Sequence, residues 1–389
     1  MEEWKEYKYT DLCSLIGGGT PKTSEPTYWG GNIPWLSVKD FGNDEKYVHT
    51  TEKTITEAGL DNSPTKLLHK DDIIISARGT IGAIAMLASD MAFNQSCFGI
   101  RSNDLVDQQY LYYLTKTKIT ELQKNSHGSV FDTITRDTFA KIRCYIPPKD
   151  EQMRIATILS SLDNKIELNR QINDNLEQQA QALFNYYFVD NINELEEYSE
   201  GALTDVASYL NGLAMQKFRP GGTDCGLPVL KIKELGQGFC DSNSDRCSSY
   251  IKNDYLIDNG EIIFSWSGTL MVDFWCSGKC GLNQHLFKVT SDEYPKWFIY
   301  FWTKHHLDQF IRIANDKAVT MGHIKRTELD NANVLIPSAE KIGQIGATIA
   351  PMIDQLINNR VEMMELSSLR DSLLPKLMSG ELKINNLDC

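Results

Sequence analysis

Ile33-Pro34-Trp35-Leu36-Ser37-Val38-Lys39-Asp40-Phe41-Gly42 has a second version 194 positions later, Leu227-Pro228-Val229-Leu230-Lys231-Ile232-Lys233-Glu234-Leu235-Gly236. Three more pairs follow in the same order. Ile73-Ile74-Ile75-Ser76-Ala77-Arg78-Gly79-Thr80 matches Ile262-Ile263-Phe264-Ser265-Trp266-Ser267-Gly268-Thr269 at an offset of 189. Asn94-Gln95-Ser96-Cys97-Phe98 matches Asn283-Gln284-His285-Leu286-Phe287 at the same offset, and Ile134-Thr135-Arg136 matches Ile324-Lys325-Arg326 at 190. Ordered matches with a slowly drifting offset mark a tandem duplication. Each half is then one globular unit followed by a tail.

The first tail begins after Ile146-Pro147-Pro148, which stops a strand, and runs without Pro or Gly to Asp190. Ile155, Leu159, Leu162, Ile166, Asn169, Asn173, Leu176, Ala180, Leu183 and Tyr187 lie alternately four and three residues apart. That is the 3.5-residue repeat of a coiled coil. The second tail repeats it with Ile345, Ile349, Met352, Leu356, Asn359, Met363, Leu366, Arg370, Leu373 and Leu377. Asn359 falls where Asn169 did, and a seam Asn facing a seam Asn would set the register. One expectation is that each helix packs only on its own domain. The other, favoured, is that the two helices pair antiparallel. Pro351 and Pro375 are expected to distort the second helix.

The globular halves read as mixed α and β, with short strands expected at 72–77, 83–87, 98–101, 142–146, 261–266 and 286–289. One helix per half is expected, at 108–124 and 295–314. The fold class is therefore α+β: two tandem-duplicated α/β domains separated by two long helices forming an antiparallel coiled coil. The expected boundaries are 1–147 and 191–336 for the domains, with 148–190 and 337–389 for the helices.

The chain has 389 residues, with 52 acidic against 39 basic and a net charge of −13. Spread evenly, that charge would argue against a polyanion as partner. It is not even, because 148–199 alone carries 10 acidic and 4 basic residues, leaving the globular halves nearly balanced. There is neither a long apolar run nor a basic-then-apolar start, so no membrane span or secretory signal is expected. Nine cysteines without such a signal suggest reduced thiols in a cytoplasm. No phosphate-cradling loop and no G-x-S-x-G elbow occurs. Cys276 and Cys280 lack the tight paired spacing of structural zinc. No catalytic residue, metal or cofactor is expected. Two equivalent modules joined by a helix suit a long ligand, and duplex DNA is the obvious one. A helix over 152–188 at 1.5 Å per residue is about 55 Å long, or about one and a half duplex turns.

These residues resemble the specificity subunit of type I restriction–modification systems, over essentially the whole chain. The resemblance is carried by Gly18-Gly19-Thr20-Pro21 with Tyr28-Trp29-Gly30-Gly31-Asn32-Ile33-Pro34-Trp35, and by Ile146-Pro147-Pro148-Lys149-Asp150-Glu151-Gln152 with Ile155-Ala156. Leu159 through Asn173, Gln181-Ala182-Leu183-Phe184 and Phe188-Val189-Asp190 add to it. It implies a non-catalytic subunit whose halves are target-recognition domains and whose helices dock methyltransferase subunits, two of them, with translocating nuclease subunits joining through the complex. A standalone two-module DNA-binding or adaptor protein is the alternative. The second half departs from the pattern, with Asn211-Gly212-Leu213-Ala214 and Ser338-Ala339-Glu340-Lys341-Ile342 in place of Gly17–Thr20 and Pro148–Gln152.

Direct readout needs donors and acceptors that reach base edges. The loop candidates are Lys39 and Lys233, Arg78 and Trp266, and Thr80 and Thr269. Ahead of the last strand stand His127, Ser129 and Arg136, matched by Lys317, His323 and Arg326. Lys39, Lys233, Arg136 and Arg326 recur in both halves and are assigned to phosphate. Residues that differ are the better base readers, since two half-sites should differ in sequence. The recurring Asn94-Gln95 and Asn283-Gln284 are read as structural.

Overall fold

The computed structural model describes residues 4–41, 45–126, 133–191, 197–316 and 322–384. The chain divides into two compact units, Met1–Glu167 with Leu366–Cys389, and Leu168–Glu365. The long helices Lys149–Asn185 and Ala339–Met378 contribute to both.

The two units repeat each other's strand order, except that Tyr47–Val48 adds a fifth strand to one sheet of the first. In the first, one sheet has the order Cys13–Gly17, Cys97–Ser102, Ile73–Ser76, Ile84–Leu87, Tyr47–Val48. In the second, the order is Ser208–Asn211, Leu286–Thr290, Glu261–Ser265, Met271–Trp275. Another sheet runs Lys53–Ile55, Trp29–Leu36, Met91–Phe93, Leu67–Leu68 in the first unit, and Arg246–Cys247, Leu227–Leu230, Cys280–Leu282, Leu256–Ile257 in the second. A two-stranded ribbon closes each unit, pairing Lys5–Lys8 with Arg143–Ile146 and Tyr198–Ala202 with Asn333–Pro337.

The central strands explain the packing. Side chains alternate across a strand, so an unbroken apolar run must be covered on both faces. Ile73 and Ile75 enter one core with Tyr110, Leu111 and Leu114 of the helix Gln108–Ser126, while Ile74 enters another with Leu36, Leu68 and Phe93. The second unit does the same, with Ile262 and Phe264 on one side and Ile263 on the other. Cys13, Cys97 and Cys144 sit in these interiors, and burial pushes their thiols up to about 12.

One expectation about helices needs correction. The expected single helix at 295–314 is two, Lys296–His305 and Leu307–Asp316. The break at His306 lets its buried ring meet the carbonyl of Asn333 on the last strand at 2.8 Å. Conversely, the second long helix runs through Pro351 and Pro375. Both prolines are exposed, so water can take the carbonyl left without a donor.

Candidate nucleic-acid interface

In each unit two parallel strands end side by side. Leu36 lies opposite Phe93 in the first, and Leu230 opposite Leu282 in the second. The next residues are Ser37 and Asn94, and Lys231 and Asn283. Asn94 N donates to Leu36 O at 3.0 Å, and Asn283 N donates to Leu230 O at 3.1 Å. Each Asn side chain then accepts from the backbone two residues on, from Ser96 N at 3.0 Å and from His285 N at 3.4 Å. These are Asx turns, which is why Asn recurs at both positions.

A glycine and a serine recur for equally local reasons. A Cβ on Gly18 would lie 2.2 Å from Asn94 O, and one on Gly212 would lie 2.2 Å from Asn283 O. Of the run Gly17–Thr20, the second half retains that one glycine. The tight turns Ser76–Thr80 and Ser265–Thr269 also match. In each, the serine hydroxyl donates to the carbonyl four residues on, and Gly79 and Gly268 take φ values of 78° and 66°. Ile134 N donates to Ala77 O and Ile324 N to Trp266 O, which ties each turn to the chain before the last strand.

The strand-end loops open onto a cleft in each unit. The first, of about 450 Å³, is lined by Trp35, Ser37, Lys39, Arg78, Thr80 and Asn94 among others. Lys39 and the turn that carries Arg78 and Thr80, two loops about 40 residues apart, are thus brought together. Asp40 braces this cleft by accepting from Ser37 N, Ser37 Oγ and Glu52 N at 2.6, 2.8 and 2.7 Å. The second cleft, of about 730 Å³, is lined by Arg219, Lys231, Arg246, Asn283, Gln284 and His285 among others. The sequence-based candidates of that half do not line it. Lys233 lies on the helix Ile232–Gln237, 3.6 Å from Asp241. Trp266 occupies the position of Ala77, not of Arg78, whose counterpart is the buried Ser267. The indole of Trp266 is half-buried and donates to Asn211 Oδ1 at 3.0 Å, so it braces the loop. Thr269 is exposed in its turn, and His323 bridges to Ser267 with its ring 6.5 Å from that of Trp266. Arg136 and Arg326 each open the short helix before the last strand, and the Arg136 guanidinium lies 5.9 Å over the Phe98 ring. His127, Ser129 and Lys317 fall outside the described residues.

The model of the type I restriction modification DNA specificity domain matches residues 1–178 and again 195–367. The chain belongs to that family. Among relatives of the specificity family, the type I restriction enzyme MjaIX specificity subunit of Methanocaldococcus jannaschii is 29% identical, over 99% of this chain and 95% of its own. The HindI specificity subunit of Haemophilus influenzae is 23% identical, over 98% of this chain and all of its own. A solved structure of the type I restriction–modification S subunit from M. genitalium covers 96% of both chains with a TM-score of 0.55 at 16% identity, a likeness of fold.

The helices of this specificity-family chain pair antiparallel within each unit. In the second, Asn359 Nδ2 donates to Asn173 Oδ1 at 2.9 Å and Asn173 Nδ2 to Leu356 O at 3.3 Å. Asn169 Nδ2 donates to Glu362 at 2.6 Å. A seam Asn does face Asn359, but it is Asn173 and not Asn169. Glu177 accepts from Lys304 and Tyr300, and Arg360 sits 2.5 Å from Asp273 Oδ1, which locks the helix pair to the domain. In the first unit, Ile155 and Leu159 share a core with Leu374 and Leu377, and Arg370 Nη1 donates to Asp163 Oδ1 at 2.9 Å. The favoured expectation of pairing holds, and packing on one domain alone does not, since Ala180 and Phe184 of the first helix enter the second unit's core and Leu374 and Leu377 of the second helix enter the first unit's core. Ile166, Ile345, Ile349 and Leu356 are buried as expected. Leu162, Leu176, Leu183, Met352, Leu366 and Leu373 are half-buried, with Asp163, Phe184, Ile353 and Leu374 taking the buried positions. A straight helix of 3.6 residues per turn drifts off a strict seven-residue pattern by about 20° per heptad.

Proposed function

We propose that this chain is the DNA sequence-specificity subunit of a type I restriction–modification complex, with each unit reading one half of a bipartite, asymmetric duplex site. The observation that carries this reading is the pair of clefts. They share the strand-end frame, Trp35, Ser37, Asn94 and Ser96 in one and Val229, Lys231, Asn283 and His285 in the other, both are lined by cations, and they differ in the side chains they present. Asymmetric half-sites require that combination of common frame and unlike readers. The recognition domains span 1–147 and 191–336, and the helices at 148–190 and 337–389 set the spacing and dock two methyltransferase subunits, through which nuclease subunits join. The chain itself performs no catalysis and works in the cytoplasm. Lys39, Lys233, Arg136 and Arg326 hold phosphates, so their loss weakens binding about equally on all sequences. The test is to sequence modified bases in the host genome with and without this gene. A bipartite modified motif present with the gene and lost without it supports the reading, and an unchanged modification pattern refutes it. Exchanging 1–147 for the matching domain of a relative is then expected to change one half-site and leave the other.

A further inference from the structure

The parallel strand ends give an equivalence between the units that does not depend on aligning loops. Ser37 follows Leu36 where Lys231 follows Leu230, and Ser96 is placed by the Asn94 turn where His285 is placed by the Asn283 turn. The chemistry at these positions is exchanged between units. In the first, Ser37 is tied up locally, its hydroxyl donating to Asp40 at 2.8 Å and accepting from Lys39 N at 3.4 Å. Exposed cations line that unit's cleft as Lys39, Lys53 and, from the turn, Arg78. In the second, the turn position holds Ser267, which is buried and shows the cleft no charge. Beside Arg219 and Arg246, the strand end itself supplies a cation, Lys231, held 2.5 Å from Asp245 Oδ2 on the cleft wall. His285 stands beside it on the same wall, next to Gln284 at 3.2 Å, with Nδ1 buried and unbonded.

We propose that Lys231 and His285 are the specificity-determining side chains of the second unit, the task that Arg78 performs in the first. One frame reads two sequences because the donor is moved from the turn to the strand end. Lys231, a donor only, suits the paired O6 and N7 acceptors of guanine in the major groove. The inference rests on the reading that each cleft faces duplex DNA.

The experiment uses the chain assembled with its methyltransferase subunits. Lys231→Ser and His285→Ser import the first unit's residues, and Lys231→Met keeps the aliphatic stem should the serine variant not fold. Modified motifs are sequenced, and binding is titrated on cognate and scrambled duplexes. The expected result is a second half-site relaxed at one or two base pairs with the first intact. The preference for cognate over scrambled duplex falls roughly ten- to a hundredfold. Arg78→Ser relaxes only the first half-site. An unchanged motif in Lys231→Met and His285→Ser, or equal losses on both duplexes, overturns this assignment while leaving the broader function standing. A wild-type complex that modifies no bipartite motif overturns both.

Discussion

Arg370→Ala is expected to be among the most damaging single changes in the first unit. The side chains of Arg370 and Asp163 are each only 4% exposed, with Nη1 and Oδ1 2.9 Å apart. At an effective dielectric of 20, two unit charges at that distance attract by about 6 kcal/mol. Removing both from water costs several kcal/mol per ion, so the intact pair is close to neutral overall. Deleting only the cation is different. Asp163 stays buried with its charge and keeps the hydroxyl of Tyr113 at 2.5 Å. The expected loss is about 3–5 kcal/mol. The double variant Asp163→Leu with Arg370→Leu removes both desolvation costs and is expected within about 1 kcal/mol of the wild type. Because a chain of two units need not unfold in one step, the assay is urea-dependent amide exchange. It is read separately over 149–167 and over the Leu168–Glu365 unit. The loss should appear in the first segment. A loss below about 1 kcal/mol in Arg370→Ala, or a double variant as unstable as the single, would refute the buried-charge argument.

Three further outcomes follow from the same structure. Burial lowers the Lys46 ammonium to about 8, with its Nζ 3.0 Å from Ser160 Oγ. Between that value and the unfolded value the unfolded chain binds more protons, so this group's contribution to stability rises with pH. Lys46→Met should therefore stabilise the protein at pH 7 by up to about 3 kcal/mol and lose that advantage by pH 11, as thermal melts of both proteins across this range will show. Gly18→Ala and Gly212→Ala each force a Cβ to 2.2 Å from a carbonyl oxygen. Each is expected to cost about 1–3 kcal/mol and to blur its own half-site alone, measured by melting and motif sequencing. Asn359→Leu takes the donor from the buried Asn173 Oδ1 and should cost about 1–3 kcal/mol, whereas Asn173→Leu with Asn359→Leu should recover most of it in the same amide-exchange experiment on the second unit.

The sequence by itself determined the duplication, the two long helices and the turns. Those signals are local: the Asn that closes its own turn, the Gly79 and Gly268 that need a left-handed backbone, and the apolar period of the tails. It also reached Lys39, Arg78 and Thr80, because each lies in a loop marked by such residues. The rest depended on contacts between segments far apart in the chain. Lys231 and His285 stood inside matched stretches, at positions where the first half has serine, yet only the parallel pairing of Leu230 with Leu282 brings them to one wall. Trp266 looked like a reader, but Asn211, 55 residues away, takes its N–H. The seam pairing of Asn359 with Asn173, not Asn169, was likewise a tertiary decision. A heptad pattern fixes which face of a helix is buried, while the register against a partner depends on which side chains can satisfy each other once both helices have packed on their domains.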